Sequence, residues 1–221
     1  MTLEELTAQF RSDCDDRTRP YLSADEDVAL WLSEAEQEAC IRGRLIHEAD
    51  DLAVCHIAVT AGKALYPLHP SVLEITNAIY TPTGSSHSVM LPLLDRVELD
   101  RTRPGWRSIP QQPRAFIQDD QRLCLDCLPI TAGLLVLECY RLPMRAMTGD
   151  FDAPEIASVH QRHLVQWALH RAYSRPDAEL MNPTGQKKAE FEFTRYFGLR
   201  PDVDLMRKTR GNRPHHNQAI W

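Results

Sequence analysis

Histidine and cysteine are the residues of this chain whose type and spacing bear most directly on chemistry. His160, His163 and His170 share one helical face with Trp167 in the stretch HQRHLVQWALHRAY. At i, i+3 the first two are spaced like ligands of one metal, with His170 further along. Such a site also needs a carboxylate or a third close ligand, and none lies at i+4. Histidines beside an aromatic suit a polar, half-buried contact instead, so His160, His163, Trp167 and His170 are expected to form a subunit or domain contact. Of the six cysteines, only Cys124 and Cys127 have ligand-like spacing. A zinc site needs a second pair at matching spacing, and the alternating run RLCLDCL explains both thiols as strand packing. Ser85-Ser86-His87 places a hydroxyl next to an imidazole. Neighbours on a strand face opposite ways, and there is no G-x-S-x-G elbow, so a turn tip is expected. Gly62-Lys63 lacks the flanking residues of a phosphate loop. Asp13, Asp15, Asp16, Asp25, Glu26 and Asp27 suggest a cation site on paper, yet caps and a solvated face need the same residues, and no nucleophile or base accompanies them. No catalytic site, metal site or cofactor is therefore expected. The rival reading is a small metal- or histidine-dependent hydrolase using His87 or the 160–170 face.

Charge narrows the field further. Residues 1–53 hold 14 acidic and 5 basic side chains, residues 54–197 hold 15 of each, and residues 198–221 hold 5 basic and 2 acidic. An acidic front on a chain of net charge −6 disfavours sequence-specific DNA binding. No apolar run approaches the length of a membrane span, and the N-terminus, polar and acidic, does not read as a secretory signal. The chain is expected to be made and kept in the cytosol of whatever cell produces it, with reduced thiols.

The elements that would position these residues fall into three parts. Thr2 and Glu5 form a capping box before a helix through Leu6 and Phe10, and Ser23 with Glu26 suggests a second. From there Val28, Trp31, Leu32, Ala35, Ala39 and Ile46 fall at helical spacing, opposite Ser33, Glu34, Gln37 and Arg44. The period then changes to two. Strands are expected at 54–60, 71–80, 88–91, 114–118, 122–128 and 133–141, with a helical turn at 94–100, and the last three strands suggest a small antiparallel sheet or sandwich. Helix returns at Asp152, read as an N-cap with Pro154 and Glu155 in the first turn, and Leu164, Val165, Ala168, Leu169 and Ala172 form its apolar stripe. A last helix starts at Asn182-Pro183, lines one side with Ala189, Phe193 and Phe197, and closes at Gly198.

The expected fold is therefore α+β. Residues 1–53 and 151–198 would form a helical bundle, residues 54–150 a β-rich insertion, and residues 199–221 an extended tail that folds on a partner. In the tail, Met206 and Trp221 read as anchors, with Ile220 beside them, and Arg207, Lys208, Arg210, Arg213, His215 and His216 as polar partners.

Three stretches together resemble the head-to-tail adaptors of tailed bacteriophages, the tail tubular protein A-like or head-completion connectors. These are TLEELTAQFRSDCDD with SADEDVALWLSEAEQEACIRGRLI, where Ser33 stands in place of a more usual Asn; PGWRSIPQQPRAFIQDDQRLCLDCLPITAGLLVLECYRLP; and HQRHLVQWALHRAYSRPDAE followed by FEFTRYFG. The resemblance implies a non-enzymatic virion protein at the head–tail junction. It implies a homo-oligomeric, dodecameric ring beneath the portal, bound to it through the C-terminal tail and followed by a tail tube or nozzle protein. Genomic DNA would pass through the channel without sequence-specific binding, and an acidic lining would let it slide.

Overall fold

A computed structural model of the chain describes residues 1–176 and 181–202. In chain order the elements are α1 (Leu3–Asp13), α2 (Asp25–Gly43), β1 (Ile46–Glu48), α3 (Leu52–Cys55), β2 (His56–Val59), β3 (Leu65–Pro67), β4 (Val72–Pro82) and β5 (Val89–Met90). There follow α4 (Arg96–Thr102), a 3-10 turn (Trp106–Ser108), β6 (Pro110–Gln111), β7 (Phe116–Asp119), β8 (Arg122–Leu125), β9 (Leu128–Pro129) and β10 (Gly133–Arg141). The chain ends in α5 (Ser158–Gln161), α6 (Leu164–Tyr173) and α7 (Pro183–Phe197). The fold class is α+β. The described residues gather into two compact units, one of residues 1–47 and 140–200, the other beginning at Glu48 and running to Cys139.

In the helical unit, apolar residues at 3.6-residue spacing make one core. Leu6, Phe10, Val28, Leu32, Ala35, Leu164, Ala168 and Phe193 are buried together there. The capping box at α1 forms on both sides, with Glu5 N donating to Thr2 Oγ1 and Thr2 N to Glu5 Oε2. The second expected box does not form. The N-cap of α2 is Ala24, and Ser23 is diverted: its N–H donates to Asp16, its carbonyl accepts from Arg11, and its hydroxyl is buried without a partner. Ser33 is buried too, not on an outer face, because its Oγ accepts from Met147 N at 3.0 Å. Arg44 takes a left-handed conformation (φ 51°) that ends α2, so Ile46 enters the same core from β1 rather than from the helix.

Asp152 does not start a helix. Its side chain accepts from Thr148 N and Gly149 N, and its carbonyl accepts from Leu3 N at 2.7 Å. The Asp150 carbonyl accepts from Glu4 N at 3.1 Å. The loop thus satisfies two amides of α1's first turn, which a helix leaves without internal partners. Glu155 receives Met144 N and the Arg141 guanidinium, and helix begins only at Ser158.

In the β-rich unit, β4 lies between β10 and β5, and β2 pairs antiparallel with β10 from Gly133 opposite Val59 to Val136 opposite His56. The segment expected as strand at 54–60 starts as the single turn α3, because the Asp51 side chain accepts from Ala53 N. The last three strands do not share one sheet. β8 lies between β3 and β7 in a separate three-stranded sheet, while β10 joins β4. The alternation breaks at Asp126, which is fully buried and accepts from Arg114 N at 2.9 Å and from the Arg103 guanidinium at 2.7 Å. A buried carboxylate held by two such donors turns the chain out of β8. Gln118 of β7 joins the two sheets: its Oε1 accepts from Ile75 N and its Nε2 donates to Leu73 O. A side-chain amide thereby stands in for a strand along the part of β4 that β5 leaves open.

Candidate functional site

The four residues expected at a contact do lie on one face, and α7 packs over it. The His163 ring stacks on Tyr196 at 3.5 Å between centroids. His160 meets the same tyrosine edge-on, its Nδ1 3.1 Å from the hydroxyl. Trp167 lies between Phe193 at 5.1 Å and His170 at 5.3 Å, with the Arg42 guanidinium over its indole. His170 Nδ1 is 3.4 Å from the Gln186 carbonyl. The apolar stripes of α6 and α7 dictate this pairing, since Leu164, Ala168 and Ala172 are buried with Ala189, Phe193 and Phe197 in one core. All four residues remain half-buried.

Burial, then the neighbouring Arg162, His160 and Arg195, push the proton affinity of His163 below that of an ordinary histidine. A general base needs the opposite surroundings, an orienting carboxylate behind the ring. Near the first turn of α6 the surface forms a depression of about 400 Å³ lined by Arg162, His163, Gln166, Glu192, Arg195 and Tyr196. Its character is cationic: Arg195 pairs with Glu192 at 2.5 Å, and Arg162 has no carboxylate in ion-pair range among the described residues. An anionic partner suits it better than a neutral substrate.

The remaining candidates are placed singly. Cys127 is buried and donates to the Gln111 carbonyl, and burial followed by the Asp126 charge pushes its thiol up to about 12. Cys124 donates to the Leu125 carbonyl, so neither sulfur is a ready thiolate. Ser85 and His87 sit at the exposed turn between β4 and β5, where Ser85 Oγ accepts from His87 N. Gly62, in the left-handed region at φ 77°, makes the turn before β3. Part of the acidic residues in and between the first two helices are held by arginines. Arg11 holds Asp16 and Asp25, Arg175 holds Asp27, and Arg171 holds Glu34. Among the described residues no three His, Cys, Asp or Glu side chains gather as a metal site. Nor is any helix there long and apolar enough to cross a membrane. The tail residues Met206, Arg207, Lys208, Arg210, Arg213, His215, His216 and Trp221 lie outside the described residues.

Sequence reasoning missed Arg162 and Arg195, which are 33 positions apart in the chain and meet only because α7 folds back on α6. It also missed Glu36 and Glu38, two carboxylates buried on α2.

The histidine face packs within one helical unit, and the surface beside it suits a charged partner. That combination fits a protein that works by contact with other chains. The chain matches the family model of the SU10 adaptor protein over residues 1–216 and belongs to that family. This is a phage head-to-tail adaptor family, so the chain is a structural bacteriophage protein. No curated protein matches it.

Proposed function

We propose that this chain joins the portal vertex of a phage head to its tail, as a dodecameric ring whose lumen passes the genome. The observation that carries the reading is the family match across nearly the whole chain, residues 1–216. The same reading places the chain in the virion, at the head–tail junction, with a portal protein above and a tail tube or nozzle protein below. Residues 199–221 are the portal-binding segment, with Met206 and Trp221 as anchors and Arg207, Lys208, Arg210, Arg213, His215 and His216 as polar contacts. Carboxylates outnumber lysine and arginine by 31 to 25, which supports a channel that duplex DNA traverses without sticking. The half-buried edges of His160, His163, Trp167 and His170 contribute to a subunit contact next to the cationic depression.

The test is direct. Purified protein mixed with portal rings should add a second ring visible in negative-stain micrographs. Deleting residues 199–221 should abolish that binding while the far-ultraviolet circular dichroism of the helical unit persists. Normal docking by the truncated chain would remove the tail assignment.

A further inference from the structure

The end of α7 lacks the closure a helix commonly has. Helices often stop on a glycine in the left-handed region, with an apolar residue just beyond it folding back on the last turn. Gly198 sits instead at φ 88° and ψ 176°, an extended conformation of positive φ that is essentially restricted to glycine. Leu199, the residue placed to fold back, is 81% exposed.

A polar clamp from α2 takes the place of that apolar contact. The Arg42 side chain is 7% exposed and lies against the rings of Trp167 and Phe193, 5.4 and 5.1 Å from their centroids. Its Nη1 donates to the Thr194 hydroxyl at 2.9 Å and to the Gly198 carbonyl at 3.2 Å, one acceptor in the last turn of α7 and one beyond it. Its Nε donates to Glu38 Oε1 at 2.8 Å, and Glu38 Oε2 lies 3.8 Å from the Arg200 guanidinium. Glu38, itself buried, thus stands between a fixed arginine and an arginine of the departing chain.

Holding α2 against α7 does not call for this arrangement. Burying an ion pair costs desolvation that its attraction seldom repays, and an apolar pair of similar volume would join the helices as well. A cation near the negative end of the α7 dipole is favourable, but Arg195 in the last turn already supplies one. What Arg42 and Glu38 add is direction: they grip the backbone at Gly198 and the side chain of Arg200, on either side of an exposed Leu199.

We propose that Arg42, Glu38 and Gly198 are positioning residues for portal docking. Together they fix the direction in which residues 199–221 leave the helical unit, and docking depends on that direction. The inference rests on the tail reading above. Setting residues 198–200 in place before contact spares the loss of their backbone freedom on binding, which is worth about tenfold in affinity for each residue held.

The experiment measures the half-saturating concentration of full-length chain on portal rings, counted in negative-stain micrographs. Gly198→Ala is the leading variant. The residue is exposed and a methyl there meets nothing within 4 Å, so only the exit angle is disturbed and the melting temperature should stay within a few degrees of wild type. The half-saturating concentration should rise about tenfold. Arg42→Met/Glu38→Gln removes the clamp without leaving a lone buried charge and should do the same; if it melts well below wild type, Gly198→Ala decides alone. A flexible glycine–serine linker of about six residues after Asp202 uncouples the tail from its exit angle and should itself weaken docking about tenfold. In the linker chain, Gly198→Ala and the clamp variant should then add less than about twofold, whereas a variant acting through the stability of the fold would lose as much again. The proposal is overturned if Gly198→Ala or the linker chain docks like wild type, or if the loss from Gly198→Ala persists in full behind the linker. Deletion of residues 199–221 separates the two readings. If the deleted chain docks normally, the tail reading fails and the clamp's role with it; if it does not dock while Gly198→Ala does, the clamp's role fails alone.

Discussion

Glu36 offers a measurement whose size follows from the fold. It is 2% exposed on α2, and its Oε1 accepts from Ile156 N at 3.1 Å. Burial raises its carboxyl from 4.5 to about 7, against the hydrogen bonds from Ile156 and Glu155 N–H, with Glu155 adding to the rise and Arg141 opposing it. A folded-state value above the unfolded one means that the protonated form favours folding. That stabilisation is whole below about pH 4.5 and is lost as pH rises through about 7. Glu36→Gln keeps the acceptor for Ile156 N and removes the titration. Between pH 5 and pH 8 the stability of the variant relative to wild type should rise by about 2.5 kcal/mol, from the two limiting values and 1.36 kcal/mol per unit. At a few degrees per kcal/mol this is a relative gain of roughly 5–10 °C in Tm. Urea unfolding followed at 222 nm, at pH 5, 6, 7 and 8, reads the difference, and groups common to both proteins cancel. A gap constant with pH, or one that widens toward acid, would refute the reasoning.

Two further substitutions test the packing. Arg11→Met leaves Asp16 buried without its cation and should cost about 3–5 kcal/mol by urea denaturation, with a smaller loss in the double variant Arg11→Met/Asp16→Asn. Gly133→Ala in β10 would place a methyl 2.5 Å from the Thr81 carbonyl and 2.7 Å from the Tyr80 ring. A loss of about 1–3 kcal/mol is expected, and a variant as stable as wild type would show that β4 and β10 have slack at this point.

Much of the local architecture was legible. The Thr2–Glu5 box, the apolar stripes of α2 and α6, the Pro183 start and Gly198 close of α7, and the long strands β4 and β10 all follow from periods and end signals within a few residues. Three of the errors share one cause. Ser23 looked like a cap, Ser33 like an outer-face residue and Asp152 like a helix start, and each is reassigned by a partner outside its own element. Ser33 meets Met147 across 114 positions, Glu36 meets Ile156 across 120, and Asp152 serves Leu3. The same holds for the candidate site: the histidine face was visible as a stripe, but its cover by α7 and the arginines beside it were not.

By itself, then, the sequence determined most of the elements and the α+β class, because helix and strand periods and caps are written in neighbouring residues, and its resemblance to head-to-tail adaptors pointed to the family. Tertiary structure alone decided which polar groups are buried and what satisfies them. A buried carboxylate or hydroxyl must find a partner wherever the fold brings one within about 3 Å, and that distance carries no signature in the spacing of the chain. The recess lined by Arg162 and Arg195 belongs to that second class of fact.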